Sequence, residues 1–135
     1  MIEVAGMWEI GWNTPIMEAD LWEMTLREFG LTALSMTPIS GINKPWIDEY
    51  EYLDDILTAK PDLTPVFVDE LGEVELSDFV HPENALYVFG KTTHSPFNSM
   101  AKKYNAQSVR IASVNPATMW AHQALAIVLY DRAKQ

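Results

Sequence analysis

Ala85-Leu86-Tyr87-Val88-Phe89-Gly90 is the stretch that decides the fold: five apolar residues in a row, stopped by a glycine and followed by the polar segment 91–95. A short continuous apolar run bounded by a turn residue fits a strand buried on both faces. Downstream, Ser108-Val109-Arg110-Ile111 forms a second such run, entering a loop over 112–118 and then an almost wholly apolar helix over 119–130. Two buried strands, each leaving into a loop, followed by a closing helix, form the last third of an α/β domain.

Upstream, Ile2, Val4 and Gly6 alternate with Glu3 and Ala5 ahead of Trp8-Glu9-Ile10-Gly11-Trp12, which predicts a first strand running into a loop. Asn13 or Thr14 then caps a helix over 15–29, because a side-chain oxygen there accepts from free backbone N–H groups and Pro15 suits the first turn. Gly30 ends it, and Glu18 and Asp20 suit the dipole at its start. A second strand is expected over 31–36, a turn over 37–41 and an acidic helix over 47–59 closed by Lys60-Pro61. A third strand over 64–68, a turn over 69–74 and a short helical turn over 76–80 follow, and a helix over 96–104 joins the fourth strand to the fifth. Strands alternating with helices predict a mainly parallel sheet covered on both faces. On that pattern alone a flavodoxin-like three-layer domain fits equally well. No repeat, low-complexity tract or linker divides residues 1–135, so a single domain is expected.

At 135 residues the chain is long enough for a domain that buries roughly two thirds of its unfolded surface. The absence of cysteine excludes disulfides, thiolate metal sites and a cysteine nucleophile. The three histidines share no ligand spacing, so no metal site is expected. No apolar segment approaches the roughly 20 residues that span a bilayer, and the first residues carry no basic, signal-like region. A soluble cytoplasmic protein is expected. Nine basic residues against 19 acidic ones give a formal charge of -10, which repels a polyphosphate backbone unless the cations gather on one face. RNA binding is therefore disfavoured by charge, although bulk acidity also serves solubility alone.

In order and spacing the chain resembles the SPOUT-class (SpoU/TrmH-like) RNA methyltransferases. Residues 9–14 resemble the family's opening motif, an asparagine followed by a glycine and, a helical turn later, an arginine. Asn13 is present, Pro15 stands at the glycine, and Glu18, Asp20 and Met24 stand where the arginine is expected, with Arg27 about a turn further on. Phe89-Gly90 matches the second motif, while Thr92 and Ser95 stand near its glutamate and second glycine. Ile111 matches the strand end of the third motif, but Ala112 replaces its proline and Thr118-Met119-Trp120 replaces a serine-leucine-asparagine signature. Ile127-Val128-Leu129-Tyr130 is similar to the family's alanine-rich closing helix.

The resemblance implies a three-layer α/β knot, in which the final helix threads back through a loop to make a deep trefoil knot at the C-terminus. It implies S-adenosylmethionine held largely by backbone groups of the loops after the last two strands, with Phe89, Gly90, Lys91, Ile111, Ala112, Ser113 and Met119 as the cofactor-binding residues. It further implies methyl transfer to an RNA ribose 2′-oxygen with Asn13 and Arg27 as catalytic residues. The family dimerises through its first and last helices, so a homodimer is expected, with Met17, Leu21 and Met24 contributing.

The positions that perform the family's chemistry are changed whereas those that shape its backbone persist, so a non-catalytic, dimeric binding or regulatory protein is the alternative. A third reading is an acidic protein that binds a basic partner through Asp48, Glu49, Glu51, Asp54 and Asp55. Trp120 is bulky enough to fill the cofactor cavity. Trp8 and Trp12 flank the first loop and are candidates to stack on a base. Lys91, Lys102, Lys103 and Arg110 are a candidate basic strip, against which Lys102-Lys103 reads simply as a solvated helix end. His94 and His122 are candidate bases, set against a solvated loop residue and a satisfied core residue respectively, and His81 reads as a turn residue before Pro82.

Overall fold

A computed structural model of the chain describes residues 1–9, 14–90, 97–113 and 119–135. In chain order its elements are β1 (Ile2–Met7), α1 (Pro15–Glu28), β2 (Leu34–Thr37), β3 (Ile47–Glu49), α2 (Leu53–Ala59), β4 (Thr64–Val68), β5 (Val74–Glu75), a 3-10 turn (Leu76–Asp78), β6 (Ala85–Phe89), α3 (Phe97–Lys103), β7 (Gln107–Arg110) and α4 (Ala121–Ala133). The strands form one sheet in the order β3-β2-β1-β6-β4-β7-β5, and every pairing is parallel.

The apolar run that opened the reading is the middle of this sheet. β6 lies between β1, in register from Ile2↔Ala85 to Gly6↔Phe89, and β4, in register from Thr64↔Ala85 to Val68↔Phe89. All five of its residues are at most 1% exposed, which is why its sequence shows no alternation. Ala85, Tyr87 and Phe89 face one layer, packing with Trp22 and Leu26 of α1 and with Leu125, Val128 and Leu129 of α4. Leu86 and Val88 face the other, with Leu53, Ile56 and Leu57 of α2 and Phe97 and Ala101 of α3. The expected three-layer α/β architecture with a parallel sheet is present.

Local chemistry sets the elements. Thr14 accepts from Met17 N through its hydroxyl (3.3 Å) and Pro15 fills the first turn of α1, while Gly30, at φ 73°, lets the chain leave the helix in the left-handed region. Glu18, Ala19, Trp22 and Leu26 form the buried stripe of α1. The Trp22 ring lies where a side chain on Gly6 would be: a Cβ there would come within 2.8 Å of Trp22 Cη2 and 3.0 Å of Met36 Sδ.

Three expectations need correction. The helix over 47–59 is two elements: Ile47, 7% exposed, joins β2 as a short edge strand, and the helix starts only at Leu53, where the Asp55 carboxylate accepts from Tyr52 N (3.2 Å). The turn over 69–74 ends in a strand, since Val74 and Glu75 pair with Val109 and Arg110. Gly72 passes so close to β7 that an added Cβ would lie 2.3 Å from the Val109 carbonyl carbon. The last helix is displaced from 119–130 to Ala121–Ala133: the Gln123 side chain accepts from Trp120 N (2.8 Å) and so marks its start, and its end is held by a buried polar network.

That network also revises His81, which is no simple turn residue but has a side chain only 3% exposed. His81 Nε2 lies 2.8 Å from Asp131 Oδ2 and Nδ1 lies 2.7 Å from the Tyr87 hydroxyl. Arg132 donates to the same hydroxyl (2.9 Å) and to the carbonyls of Pro82 and Glu83, and burial pushes the Tyr87 pKa up. Among the described residues no helix is long and apolar enough to cross a membrane.

Candidate functional site

In a parallel sheet covered on both faces, ligands bind outside the carboxyl ends of the strands. At that edge β1 ends at Met7, β6 at Phe89 and β7 at Arg110. Phe89, 1% exposed, belongs to the cluster under α1 and α4, and Ile111 and Met119 pack onto the same cluster from β7's exit and the approach to α4. Three of the seven predicted cofactor residues thus belong to, or pack against, one apolar cluster that extends under α1 and α4. Gly90 follows directly, half-buried, and Ala112 and Ser113 leave β7 exposed. Lys91 and Asn13 lie outside the described residues, as do Trp12, Thr92, His94, Ser95 and Thr118. Trp120 is half-buried at the head of α4, its ring centroid 6.2 Å from that of His122 at 60°. Burial lowers the His122 pKa, which favours the neutral ring.

The chain leaving β1 is fastened by two carboxylates. Trp8, fully buried, donates its backbone N–H to Thr37 O (2.8 Å) and its indole N–H to Glu49 Oε2 (2.7 Å). Glu49 also accepts from Ser40 N (3.0 Å), the Ser40 hydroxyl and Gly41 N (3.2 Å). One residue on, Glu9 N donates to both oxygens of Glu18, at 3.0 and 2.8 Å, and both glutamates are under 5% exposed. Trp8 is therefore part of the core and offers no face on which a base could stack.

Arg27 is placed elsewhere. Its guanidinium pairs with Glu23 (2.8 Å), and its side chain is 74% exposed. α1 starts at the edge where β1 ends and runs back along the sheet, so Arg27 sits roughly 18 Å along the axis from Pro15. There, with Glu23, Leu26, Leu31, Thr32 and Trp46, it lines a cavity of about 210 Å³. The structure does not bring Arg27 together with Phe89 and Gly90.

Two charge patterns expected from the sequence are broken up by pairing. Arg110 donates to the carbonyls of Gly72 (2.9 Å) and Glu73 (3.1 Å), and Lys103 pairs with Asp54 (3.2 Å), so neither is left for a basic strip. Asp54 also accepts from the Tyr104 hydroxyl; that bond and Lys103 hold its carboxyl below the usual range, while Tyr104 is pushed up to about 12. With Glu49 turned inward as well, Asp48, Glu49, Glu51, Asp54 and Asp55 do not make a continuous free acidic face. Among the described residues no group of three or more His, Asp or Glu side chains could hold a metal ion.

Sequence reasoning missed the carboxylate anchors. Glu18 read as a favourable charge at a helix start and Glu49 as part of a helix, and their bonds join segments that only the folded sheet brings together. The same holds for Ser108, whose hydroxyl accepts from Glu73 N (2.9 Å) and donates to Asn98 Oδ1 (2.7 Å), while Asn98 holds Leu71 O (2.9 Å).

No protein-family model and no curated protein matches the sequence. Solved structures do. The SpoU methyltransferase AviRb from Streptomyces viridochromogenes superposes with a TM-score of 0.75 over 100% of this chain, at 14% identity. The chain has the SpoU methyltransferase fold. It spans 59% of that AviRb chain, and AviRb in complex with the cofactor AdoMet matches with a TM-score of 0.70 at 12% identity, over 100% of this chain and 57% of its own. A structure described as giving insights into the 2-OH methylation of C/U34 on tRNA matches with a TM-score of 0.74 at 15% identity and is covered over 95% of its length, with 100% of this chain aligned.

Proposed function

We propose that this chain is a single-domain cytoplasmic SPOUT protein that binds S-adenosylmethionine at the carboxyl edge of its sheet and transfers the methyl group to the 2′-oxygen of an RNA ribose. The observation that carries this reading is the SpoU fold matched over the whole of this chain, and it is supported by Phe89, Ile111 and Met119, which belong to or pack against one apolar cluster from the exits of β6 and β7 and the approach to α4. An apolar wall there suits an adenine ring, and Gly90 permits backbone to approach a ligand closely. Lys91, Ala112 and Ser113 are the remaining cofactor contacts in this proposal, which includes the deep trefoil knot at the C-terminus that the resemblance implies. The bound cofactor supplies an electrophilic methyl group; the chain excludes water from it and orients the acceptor hydroxyl, with Asn13 beside that hydroxyl.

The working unit in this proposal is a homodimer. Ile16, Met17 and Met24 of α1 and Ile127 and Tyr130 of α4 are all at least 39% exposed, on two helices that pack side by side, and a second copy would cover them. A monomer mass in sedimentation at micromolar concentration would remove the dimer from the proposal.

A non-catalytic dimer on the same scaffold is the second reading. It is favoured by the placement of Arg27 at the far end of α1 and by the engagement of Arg110 and Lys103 with protein groups. Calorimetric titration with S-adenosylmethionine and S-adenosylhomocysteine tests the first reading. Micromolar binding keeps the enzyme reading and calls for methyl-transfer assays on RNA, which separate the two, while no heat at several temperatures, on folded protein, rejects cofactor binding and leaves the scaffold reading.

A further inference from the structure

We propose that the cavity at the end of α1 is a binding site for a small, uncharged, planar heteroaromatic molecule that presents hydrogen-bond acceptors, of which a free purine base is the type. The cavity, of about 210 Å³, is lined by Glu23, Leu26, Arg27, Leu31, Thr32 and Trp46. It lies where β2 and β3 begin, at Leu34 and Ile47, and so at the opposite edge of the parallel sheet from the exits of β6 and β7. The proposal does not rest on the reaction proposed above.

The apolar walls are held in place by the fold itself. Leu26 is 1% exposed, and Leu31 and Trp46 pack against the cluster to which it belongs. Leu31 N donates to Leu26 O (3.0 Å) and Leu34 N donates to Trp46 O (3.0 Å), which ties the two half-buried residues to α1 and to β2. A preformed apolar space of this size suits one or two fused rings, since a cavity of about 150 Å³ already admits benzene.

The polar groups around it select the kind of ring. The acceptors are taken: Leu26 O and Arg27 O receive backbone N–H groups from residues 29–31, and the Glu23 carboxylate is paired with Arg27. The donors are in surplus. Among the described residues the Trp46 indole N–H and the Thr32 hydroxyl donate to no protein group, and Arg27 has Glu23 as its one side-chain partner, in an exposed i,i+4 pair of a kind that gives way easily. An indole and a guanidinium both stack on flat aromatic rings. Glu23, the negative end of the α1 dipole and the formal charge of -10 all oppose an anion, which argues against a carboxylate, a phosphate or an RNA strand as the occupant.

The test titrates adenine into the isotope-labelled full chain, with S-adenosylhomocysteine present in excess, and follows the Trp46 indole N–H and the Leu31 and Thr32 amides by nuclear magnetic resonance. These resonances should shift saturably with a Kd of about 0.1–3 mM, the range a ring this small allows. Arg27→Ala should weaken adenine about twofold to fivefold through the lost stacking. Thr32→Phe, at an exposed position, fills the mouth of the cavity and should weaken it at least about tenfold, with the melting temperature showing that the variant is folded. Indole, of similar size but without an acceptor, should bind at least about fivefold more weakly than adenine. No saturable shift up to about 10 mM adenine overturns the proposal, as does adenine affinity unchanged in both variants. Indole binding as tightly as adenine would overturn the assignment of an acceptor-bearing ring, and oligoadenylate binding more tightly than adenine would make an RNA strand the occupant and overturn the assignment of a free base. Failure of S-adenosylhomocysteine to bind would count against the proposed reaction alone and leave the adenine titration to decide this site.

Discussion

Replacing Gly6 by alanine adds one methyl group at the most crowded contact between the sheet and α1. The new Cβ would lie 2.8 Å from Trp22 Cη2, 2.9 Å from Cζ2 and 3.0 Å from Met36 Sδ. None of these atoms has free space to retreat into: Trp22 is 2% exposed and meets Phe89 edge-on at a centroid distance of 6.1 Å, and Met36 is fully buried. Overpacking of this kind costs about 1–3 kcal/mol, against a gain of about 0.4–1 kcal/mol from stiffening the unfolded chain, leaving about 1–2 kcal/mol of net destabilisation. For a chain of 135 residues this is a fall in Tm of roughly 3–10 °C. Thermal unfolding by circular dichroism and urea titration read it, with the m-value unchanged. Trp22→Phe removes both crowding ring atoms, so the double variant should be less destabilised than the sum of the two single variants by about 1 kcal/mol. A Gly6→Ala protein that melts at or above the wild-type temperature, or strict additivity with Trp22→Phe, would refute the argument from crowding.

Arg27→Ala is expected to leave S-adenosylhomocysteine affinity within about twofold of wild type, because the side chain lies at the far end of α1; a loss of tenfold or more in calorimetry would return it to the site. In a spectrophotometric titration Tyr104 should ionise near pH 12, and Asp54→Asn should bring it back toward 10.0. The sign for stability follows: a tyrosine whose folded pKa is raised contributes stability that is present below pH 10 and lost as pH rises toward 12, whereas Asp54, lowered from 3.8, contributes above that value and loses it as pH falls. Urea midpoints measured across both windows for wild type and Asp54→Asn check the two signs.

How much could be read in advance depended on how local the cause was. β6, the cap and start of α1, and the left-handed exit at Gly30 were legible because an apolar run, a Thr-Pro pair and a glycine act within a few residues of themselves. β3 was not, since nothing in Ile47-Asp48-Glu49 distinguishes a helix start from a strand until the open edge of β2 is beside it. The same applies to the site. The resemblance drew attention to the exits of β6 and β7; Phe89, Ile111 and Met119 belong to or pack against one apolar cluster, and that shared burial depends on the packing of α4 onto the sheet. Arg27 was favoured for its charge and spacing, and spacing along a helix says nothing about which end of the sheet that helix turn reaches. Glu18 and Glu49 carried no signal of their own, because a carboxylate that will bond a backbone amide nine residues away, or an indole 41 residues away, looks like any other surface acid in a list of residues.

The polar network at the end of α4 has a direction. Arg132 can only donate, Asp131 as a carboxylate can only accept, and between them stand the Tyr87 hydroxyl and the His81 ring, each able to do both. With a neutral ring, the order that gives every proton a partner runs from Arg132 to Tyr87, from Tyr87 to Nδ1, and from Nε2 to Asp131. The relay leaves the helix at one residue and returns to its immediate neighbour in sequence, having passed through β6 and the segment ahead of it. Helix ends ordinarily fray first. This one is closed into a ring with the middle of the sheet, so amides in the last turn of α4 should open only when β6 does.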